Sequence, residues 1–162
     1  MFPRSLLSAA ALTAMLISAP ALAAGEDGDP SVKRRLDERG IRYKLDSDGD
    51  FKVTYNYSKE GRTQLVYISG RTETVGGVAI REVFAPAAKV DEDGVGGEKA
   101  LDLLRRSRKA KLGAWEIGGA YLYYVVKLPD HVSARELEAA MDVAAEIADD
   151  LELELSGARD EF

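Results

Sequence analysis

The chain has 162 residues, of which 46% are hydrophobic and 31% are charged, and this composition fits one globular domain with its own core. It contains no cysteine, which excludes disulfides and cysteine-based metal or lipid sites. Its formal net charge of −6 disfavours long-range attraction to nucleic acid or to an anionic membrane.

The first 23 residues have the pattern of a secretory signal peptide. Arg4 supplies a positive start, residues 6–18 form an apolar core, and small side chains precede the expected cleavage site between Ala23 and Ala24. We therefore expect a periplasmic or secreted protein, with an uncleaved anchor as the alternative. Cleavage removes one basic and no acidic residue, giving 21 − 28 = −7. No later apolar run of about 20 residues occurs, so no transmembrane segment is predicted after cleavage.

A polar leader, residues 24–29, precedes a predicted single domain over residues 30–162. The domain should begin with a short helix, because an N-cap, a proline at the first helical position and a glycine past the end all occur at helical spacing. These three residues are Asp29, Pro30 and Gly40. Val32 and Leu36 are expected to face a sheet.

Three extended stretches follow, residues 41–45, 51–57 and 63–69, and their spacing predicts an antiparallel meander. The turn over residues 46–50 carries three aspartates, which suggests a calcium loop. However, an EF-hand would need glycine in place of Phe51 and glutamate in place of Tyr57. We interpret these residues as an ordinary Asp/Gly turn.

Residues 70–97 are the least regular part of the pattern. Residues 78–85 are predicted to be extended, with a bend at Gly76-Gly77 and a stop at Pro86. Residues 91–97 are a loop by composition. This loop precedes a helix, as a phosphate-binding loop would, but it lacks the G-K-[ST] ending.

A middle helix is predicted over residues 98–109. Leu101 and Leu104 are expected to cover the sheet, which would leave Leu103 exposed among arginines. An exposed leucine in that setting suits a two-fold interface. The predicted dimer or partner contacts are therefore Leu103, Arg105, Arg106 and Arg108. The alternative is a monomer in which the 86–97 loop covers Leu103.

Residues 112–155 carry the densest apolar pattern, a strand pair followed by a long helix. Gly118-Gly119 is the predicted hairpin turn, and Pro129 ends the second strand. Both faces of that strand are largely apolar or aromatic, which favours a central position. Ser133 and Glu136 have capping-box spacing, so the helix should begin near residue 134.

The long helix is strongly amphipathic. The stripe predicted to pack on the sheet comprises Leu137, Met141, Ala144, Ala148, Leu151 and Leu155. The acids predicted to be solvated are Glu138, Asp142, Glu146, Asp149 and Glu152.

We find no pattern of catalytic, cofactor-binding or metal-binding residues. His131 is the only histidine, so no histidine-based zinc site can be built, and we interpret it as a loop residue. Trp115 is interpreted as a core anchor, with ligand stacking as the minor alternative. We predict no cofactor and no nucleic-acid partner.

Three stretches together resemble the YbjN family, described as sensory transduction regulators. They are L-D-E-R-G-I-R-Y over residues 36–43, L-L-x-x-x-R-x-x-K-L-G-A-W over residues 103–115, and the A-D-D-L-E-L-E-L-S-G-A-R-D-E-F tail over residues 148–162. The resemblance covers residues 30–162. It implies an α+β domain with the fold of type III secretion chaperones: an antiparallel sheet, made of the meander and the later hairpin, covered by the first and last helices.

The same resemblance implies a protein without catalytic residues that binds a protein or peptide and dimerises through the middle helix. The leading hypothesis is therefore a non-enzymatic, exported binding or regulatory module of the cell envelope. One alternative is a glycosidase-like hydrolase, which needs two carboxylates about 5–10 Å apart, one with a raised pKa. A second alternative is a structural or stress-related envelope protein without a discrete site.

Overall fold

The computed structural model describes residues 28–157 and 160–162. The elements along the chain are α1 (Pro30–Glu38), β1 (Lys44–Leu45), β2 (Phe51–Tyr57), β3 (Arg62–Ile68), β4 (Glu73–Val75), β5 (Val78–Lys89), α2 (Gly97–Lys109), β6 (Ala114–Gly118), β7 (Tyr121–Pro129) and α3 (Ala134–Ser156). The predicted signal peptide, with its cleavage site at Ala23 and Ala24, lies outside the described residues. No helix in the described part of the chain is long and apolar enough to cross a membrane.

The strands form one antiparallel sheet in the order β1-β2-β3-β5-β7-β6, and β4 pairs with β5 outside this path. The predicted α+β class, with a meander and a later hairpin, is confirmed. Strand β7 pairs with both β5 and β6, so its predicted central position is also confirmed.

One face of the sheet is covered by helices. Helix α3 packs across β3, β5 and β7, and α1 packs against α3. The strands bury alternate side chains beneath them, which is the period-2 pattern of a half-covered sheet. These side chains include Phe51, Val53, Val66, Ile68, Val83, Ala85, Leu122, Tyr124, Val126 and Leu128. The predicted α3 stripe is buried from Leu137 to Leu151, with Leu155 partly buried.

The helix starts are fixed by the predicted caps. The Asp29 Oδ1 atom accepts hydrogen bonds from the Ser31 and Val32 amides at 2.7 and 3.2 Å. In α3 the Glu136 amide donates to Ser133 Oγ at 3.2 Å, and the Ser133 amide donates to Glu136 Oε2 at 2.8 Å. Both caps satisfy amides that lack partners within the first helical turn.

We predicted that strand β5 stops at Pro86, and this prediction is wrong. The strand continues to Lys89, and its register with β7 shifts between Pro86 and Ala88, which is a β-bulge of the kind that accommodates proline in a strand. Before it, Gly76 and Gly77 have φ values of 57° and 83°. This conformation closes a β4–β5 hairpin in the position where a bend was predicted.

The β6–β7 turn is one residue later than predicted. Gly118 belongs to β6 and pairs with Tyr121, so the two turn residues are Gly119 and Ala120. Only Gly119 has a positive φ, of 60°. A hairpin turn with a positive φ at its first central position needs a single glycine there.

The predicted orientation of α2 is wrong. Leu103 is buried, with 4% of its surface exposed, whereas Leu101 and Leu104 are 45% and 61% exposed. The packed face combines Leu103 with small neighbours, and Ser107 Oγ accepts a hydrogen bond from the Trp115 amide at 2.9 Å. Leu103 is therefore the buried leucine of α2, on the side of the helix that meets β6.

Two acids of α3 that were predicted to be solvated are buried. Arg62, on the helix-covered side of β3, donates from Nε and Nη2 to Asp149 Oδ1 at 3.0 and 2.8 Å. The same Nη2 atom lies 3.4 Å from Glu152 Oε2. The buried guanidinium pairs with both carboxylates, so these positions belong to the core despite their charge.

Candidate protein-binding face

The second face of the sheet is not covered by any helix of the described residues. Helices α1 and α3 occupy the first face, and α2 lies beside α3, where Arg106 donates two hydrogen bonds to Glu154 at 2.6 and 2.8 Å. We call the uncovered side the open face.

A row of side chains crosses the open face at one level. The strand register places Lys52, Tyr67, Phe84, Val125 and Ala114 side by side on β2, β3, β5, β7 and β6. Neighbouring side chains at such positions are within contact distance across the strands. The row therefore brings aromatic side chains from separate strands together.

Five aromatic rings form a continuous chain on this face. Tyr67 stacks on Phe84 with centroids 5.3 Å apart, and Phe84 meets Tyr123 edge-on at 5.7 Å. Tyr121 lies 6.1 Å from Tyr123 and 6.2 Å from Phe162. These spacings are those of favourable aromatic pairs, so the rings support one another in fixed positions.

The rings line a depression of about 400 Å³, which we call the aromatic cleft. Its lining consists of Leu65, Tyr67, Phe84, Pro86, Tyr121, Tyr123 and Phe162, with Asp46, Asp48 and Asp50 along one side. An apolar floor with polar groups at the margin is the usual composition of a binding site.

The acidic side of the cleft is part of the β1–β2 turn. Asp46 Oδ1 accepts from the Asp48 and Asp50 amides at 2.9 and 3.0 Å, and Asp50 Oδ1 accepts from the Gly70 amide at 2.8 Å. Burial, followed by the nearby charges of Asp46 and Asp48, raises the pKa of Asp50 despite the Gly70 hydrogen bond. These contacts agree with the predicted structural turn. Within residues 28–157 and 160–162, no group of three or more acidic or histidine side chains is arranged to hold a metal ion.

Two tyrosines of the cleft, Tyr67 and Tyr123, remain protonated at physiological pH. Burial raises the pKa of Tyr67 and of Tyr123 above 10, and neighbouring acidic or tyrosine groups raise it further. Their hydroxyl groups therefore act as neutral donors and acceptors at the rim of an apolar surface.

Strands β3 and β5 separate next to the cleft. They pair only at Tyr67–Phe84 and Ile68–Val83. Beyond that point, the Gln64 Nε2 atom donates to the Pro86 carbonyl at 2.8 Å in place of a ladder bond. The sheet thus has a gap that opens beside the aromatic rings.

Residues 160–162 lie at this gap. The Thr63 amide donates to Asp160 Oδ1 at 3.0 Å, and the Glu161 amide donates to Glu152 Oε1 at 2.6 Å. The Glu161 carboxylate also pairs with Lys89. These contacts place Phe162 against Tyr121 in the cleft.

The residues predicted as dimer or partner contacts are not part of the open face. They lie on α2, where Leu103 is buried, Arg106 pairs with Asp102 and Glu154, and Arg105 is 3.9 Å from Glu98. Arg108 is exposed. The structure does not test dimerisation, which stays a prediction, but an α2 interface would use Leu101 and Leu104 and not Leu103.

Sequence reasoning missed the aromatic cleft. Tyr67 and Tyr123 alternate with the buried side chains of β3 and β7, and this alternation is the signal that could have found them. Phe84 could not be assigned, because the pairing of β5 was unknown. Trp115 is buried and meets Tyr124 edge-on at 5.0 Å, which confirms it as a core anchor. His131 is exposed in the turn before α3.

Neither a family model nor a curated protein sequence matches the chain. Among solved structures, the chain is similar to the Yersinia pestis type III secretion chaperone SycH, crystallised in complex with a stable fragment of YscM2. The TM-score is 0.51 at 14% sequence identity, and the alignment covers 75% of this chain and 96% of that chain. The chain therefore shares the chaperone-like fold that the sequence resemblance implied. Membership of the YbjN family stays a prediction.

Proposed function

We propose that the protein is a non-enzymatic binding module that holds a protein or peptide partner on its open face. The observation that carries this proposal is the aromatic cleft: connected rings on an uncovered sheet face beside a gap in the sheet. Partly exposed, rigid aromatic side chains are the groups that contribute most to protein interfaces.

The partial exposure of these aromatic rings to water supports this function, because exposed apolar surface is unfavourable. A sheet that served only as a scaffold could place polar side chains on its open face. Here Tyr67, Phe84 and Tyr123 occupy the middle of that face and are only partly buried. Apolar surface of this kind is typical of interaction sites.

The fold supports the same class of function. SycH, which shares this fold, was crystallised in complex with a fragment of another protein. We propose a partner of the same general kind, a polypeptide segment, for this chain. On the basis of the signal-peptide pattern in residues 1–23, we propose that the partner lies in the cell envelope.

The test is affinity capture from an envelope extract with three forms of the protein. Tyr123→Glu places a charge in the cleft, whereas Ile117→Glu places the same charge at an apolar residue, 56% exposed, on the other side of the sheet. We expect wild type and Ile117→Glu to retain a partner that Tyr123→Glu loses. Equal capture by all three folded forms would contradict binding at the open face. Capture by none would favour a structural envelope protein without a discrete site.

A hydrolase that uses acidic residues is the second candidate. The observation in its favour is the position of Asp46, Asp48 and Asp50 beside stacked rings, with the pKa of Asp50 raised by burial. Sugar rings pack on aromatic faces, and glycosidases need one acid with a raised pKa. Nitrophenyl glycosides provide the assay: turnover that Asp50→Asn abolishes would establish this candidate, and no turnover by wild type would remove it.

A further inference from the structure

We propose that residues 160–162 are an intramolecular ligand of the aromatic cleft, and that the partner presents an acidic segment with an aromatic residue in their place. This inference rests on the proposed function and specifies the chemistry of the partner. It follows from what the chain itself places at the gap between β3 and β5.

The gap between β3 and β5 has backbone and charged groups that can bind a polypeptide segment. Because β3 and β5 pair only at two positions, the Thr63 amide has no partner in β5. Asp160 accepts the hydrogen bond from this amide at 3.0 Å, and its Oδ2 atom lies 3.3 Å from the Thr63 hydroxyl. One carboxylate therefore satisfies both donors of a single threonine.

The next residue of the segment, Glu161, is also acidic and also has a partner. Lys89, at the end of β5, pairs with the Glu161 carboxylate, and the Glu161 amide donates to Glu152. An acidic side chain at this position is a second carboxylate on Lys89, which also pairs with Glu92 at 3.3 Å. A basic side chain there would meet Lys89 as a like charge.

The third position inserts an aromatic ring. Phe162 meets Tyr121 at an interplanar angle of 78° and completes the chain of five rings. The cleft thus accepts an edge-on ring at one end, while Tyr67 and Phe84 remain available along its floor. Asp160, Glu161 and Phe162 thus contact Thr63, Lys89 and Tyr121, respectively. The segment has the order acid, acid, aromatic.

These contacts are weak enough for a partner segment to displace residues 160–162. The Lys89–Glu161 pair is partly exposed, with 28% of each side chain accessible, and partly exposed ion pairs contribute little to stability. Tyr121 is 36% exposed. Residues 160–162 nevertheless have an advantage over a separate peptide because they belong to the same chain. A short flexible tether gives an effective concentration of about 1 mM. A free segment must compete against that concentration.

The experiment uses a fluorescent peptide of residues 157–162, Gly-Ala-Arg-Asp-Glu-Phe with blocked ends, and measures its anisotropy with the full chain. Phe162→Ala vacates the ring position, and Ile117→Ala is the matched control on the other side of the sheet. We expect Phe162→Ala to bind the peptide at least tenfold more tightly than wild type or Ile117→Ala. Thermal melting checks that both variants are folded.

Two further peptides separate the parts of the inference. A peptide with alanine in place of phenylalanine should lose binding, and one with Lys-Lys in place of Asp-Glu should bind at least tenfold more weakly. Equal binding of the Lys-Lys peptide would overturn the acidic preference and leave the cleft as a peptide site. If no peptide binds Phe162→Ala at 1 mM, or if wild type binds as tightly as Phe162→Ala, the intramolecular ligand is overturned, and the capture experiment still decides the proposed function.

Discussion

Arg81 is fully buried, and two carboxylates neutralise it: that of Asp29, the N-cap of α1, and that of Asp130 in the turn before α3. Its guanidinium donates to Asp29 Oδ2 at 2.9 Å and to Asp130 Oδ1 at 2.6 Å. Arg35 also donates to Asp130, at 3.0 Å. The network joins α1, β5 and the turn before α3, so charge pairing fixes where the first helix sits on the sheet.

This network predicts a pH-dependent stability. Burial alone would raise the pKa of Asp29, but hydrogen bonds from Ser31 and Val32 and the charge of Arg81 hold it at about 2, below its usual value of 3.8. A depressed folded-state pKa stabilises the protein above the unfolded pKa, and this contribution is lost as the pH falls from about 4 to about 2. We expect Asp29→Asn to melt earlier than wild type at pH 7, with the difference shrinking across that window.

Calorimetry at pH 7, 4 and 2 measures this difference. Asp37→Asn is the control, because Asp37 lies on the same helix in an exposed pair with Lys33. A constant gap between Asp29→Asn and wild type at all three pH values would show that the pKa of Asp29 is not shifted.

Arg62 provides a second prediction at this scale. Arg62→Met would leave Asp149 and Glu152 buried without their cation, so we expect a loss of about 3–5 kcal/mol in the free energy of unfolding. Arg39→Met breaks the partly exposed Arg39–Glu138 pair and should cost less than about 1 kcal/mol. Urea unfolding measures both values. Similar losses would mean that the Arg62 network is hydrated.

At the scale of elements, helix α2 packs through a single leucine. Leu103 fills the core next to β6, and Leu101 and Leu104 face outward. Leu103→Ala should therefore destabilise the protein by about 2–5 kcal/mol, and Leu104→Ala should stay within about 0.5 kcal/mol. Urea unfolding of the two variants compares a buried and an exposed leucine of the same helix. The reverse order would restore the orientation predicted from the sequence.

The exposure of Leu101 and Leu104 changes which residues the dimer prediction involves. If α2 forms a two-fold interface, Leu104→Glu should convert a dimer into folded monomers, because the charge would be repeated across the symmetry axis. Sedimentation at tens of micromolar measures the mass. A monomeric wild type at that concentration would end the dimer hypothesis.

Local signals predicted the elements well, and long-range packing explains the errors. The caps at Asp29 and Ser133 act within a few residues, so the sequence shows them directly. The orientation of α2 depends on contacts with β6, such as the hydrogen bond from the Trp115 amide to Ser107, which a count of leucines does not reveal. The continuation of β5 past Pro86 depends on a register shift against β7.

For the whole molecule, the same sequence rules predict the covered face and miss the open one. The α3 stripe predicted from the sequence is the cover of that face, and Val32 and Leu36 of α1 are buried as expected. The aromatic cleft combines Tyr67, Phe84, Tyr123 and Phe162 from four separate parts of the chain. Only the pairing of β3, β5 and β7 and the path of residues 160–162 bring them together, so no single stretch of sequence contains the site.

The central claim is that a polypeptide partner docks on the open face. Site-specific photo-crosslinking in intact cells tests it most directly, with a benzoyl-phenylalanine probe at Tyr123 and, as control, at Ala139, which is exposed on α3. We predict a discrete crosslinked product of higher mass from position 123 and none from position 139. A product from position 139 alone, or equal products from both positions, would contradict docking at the aromatic cleft.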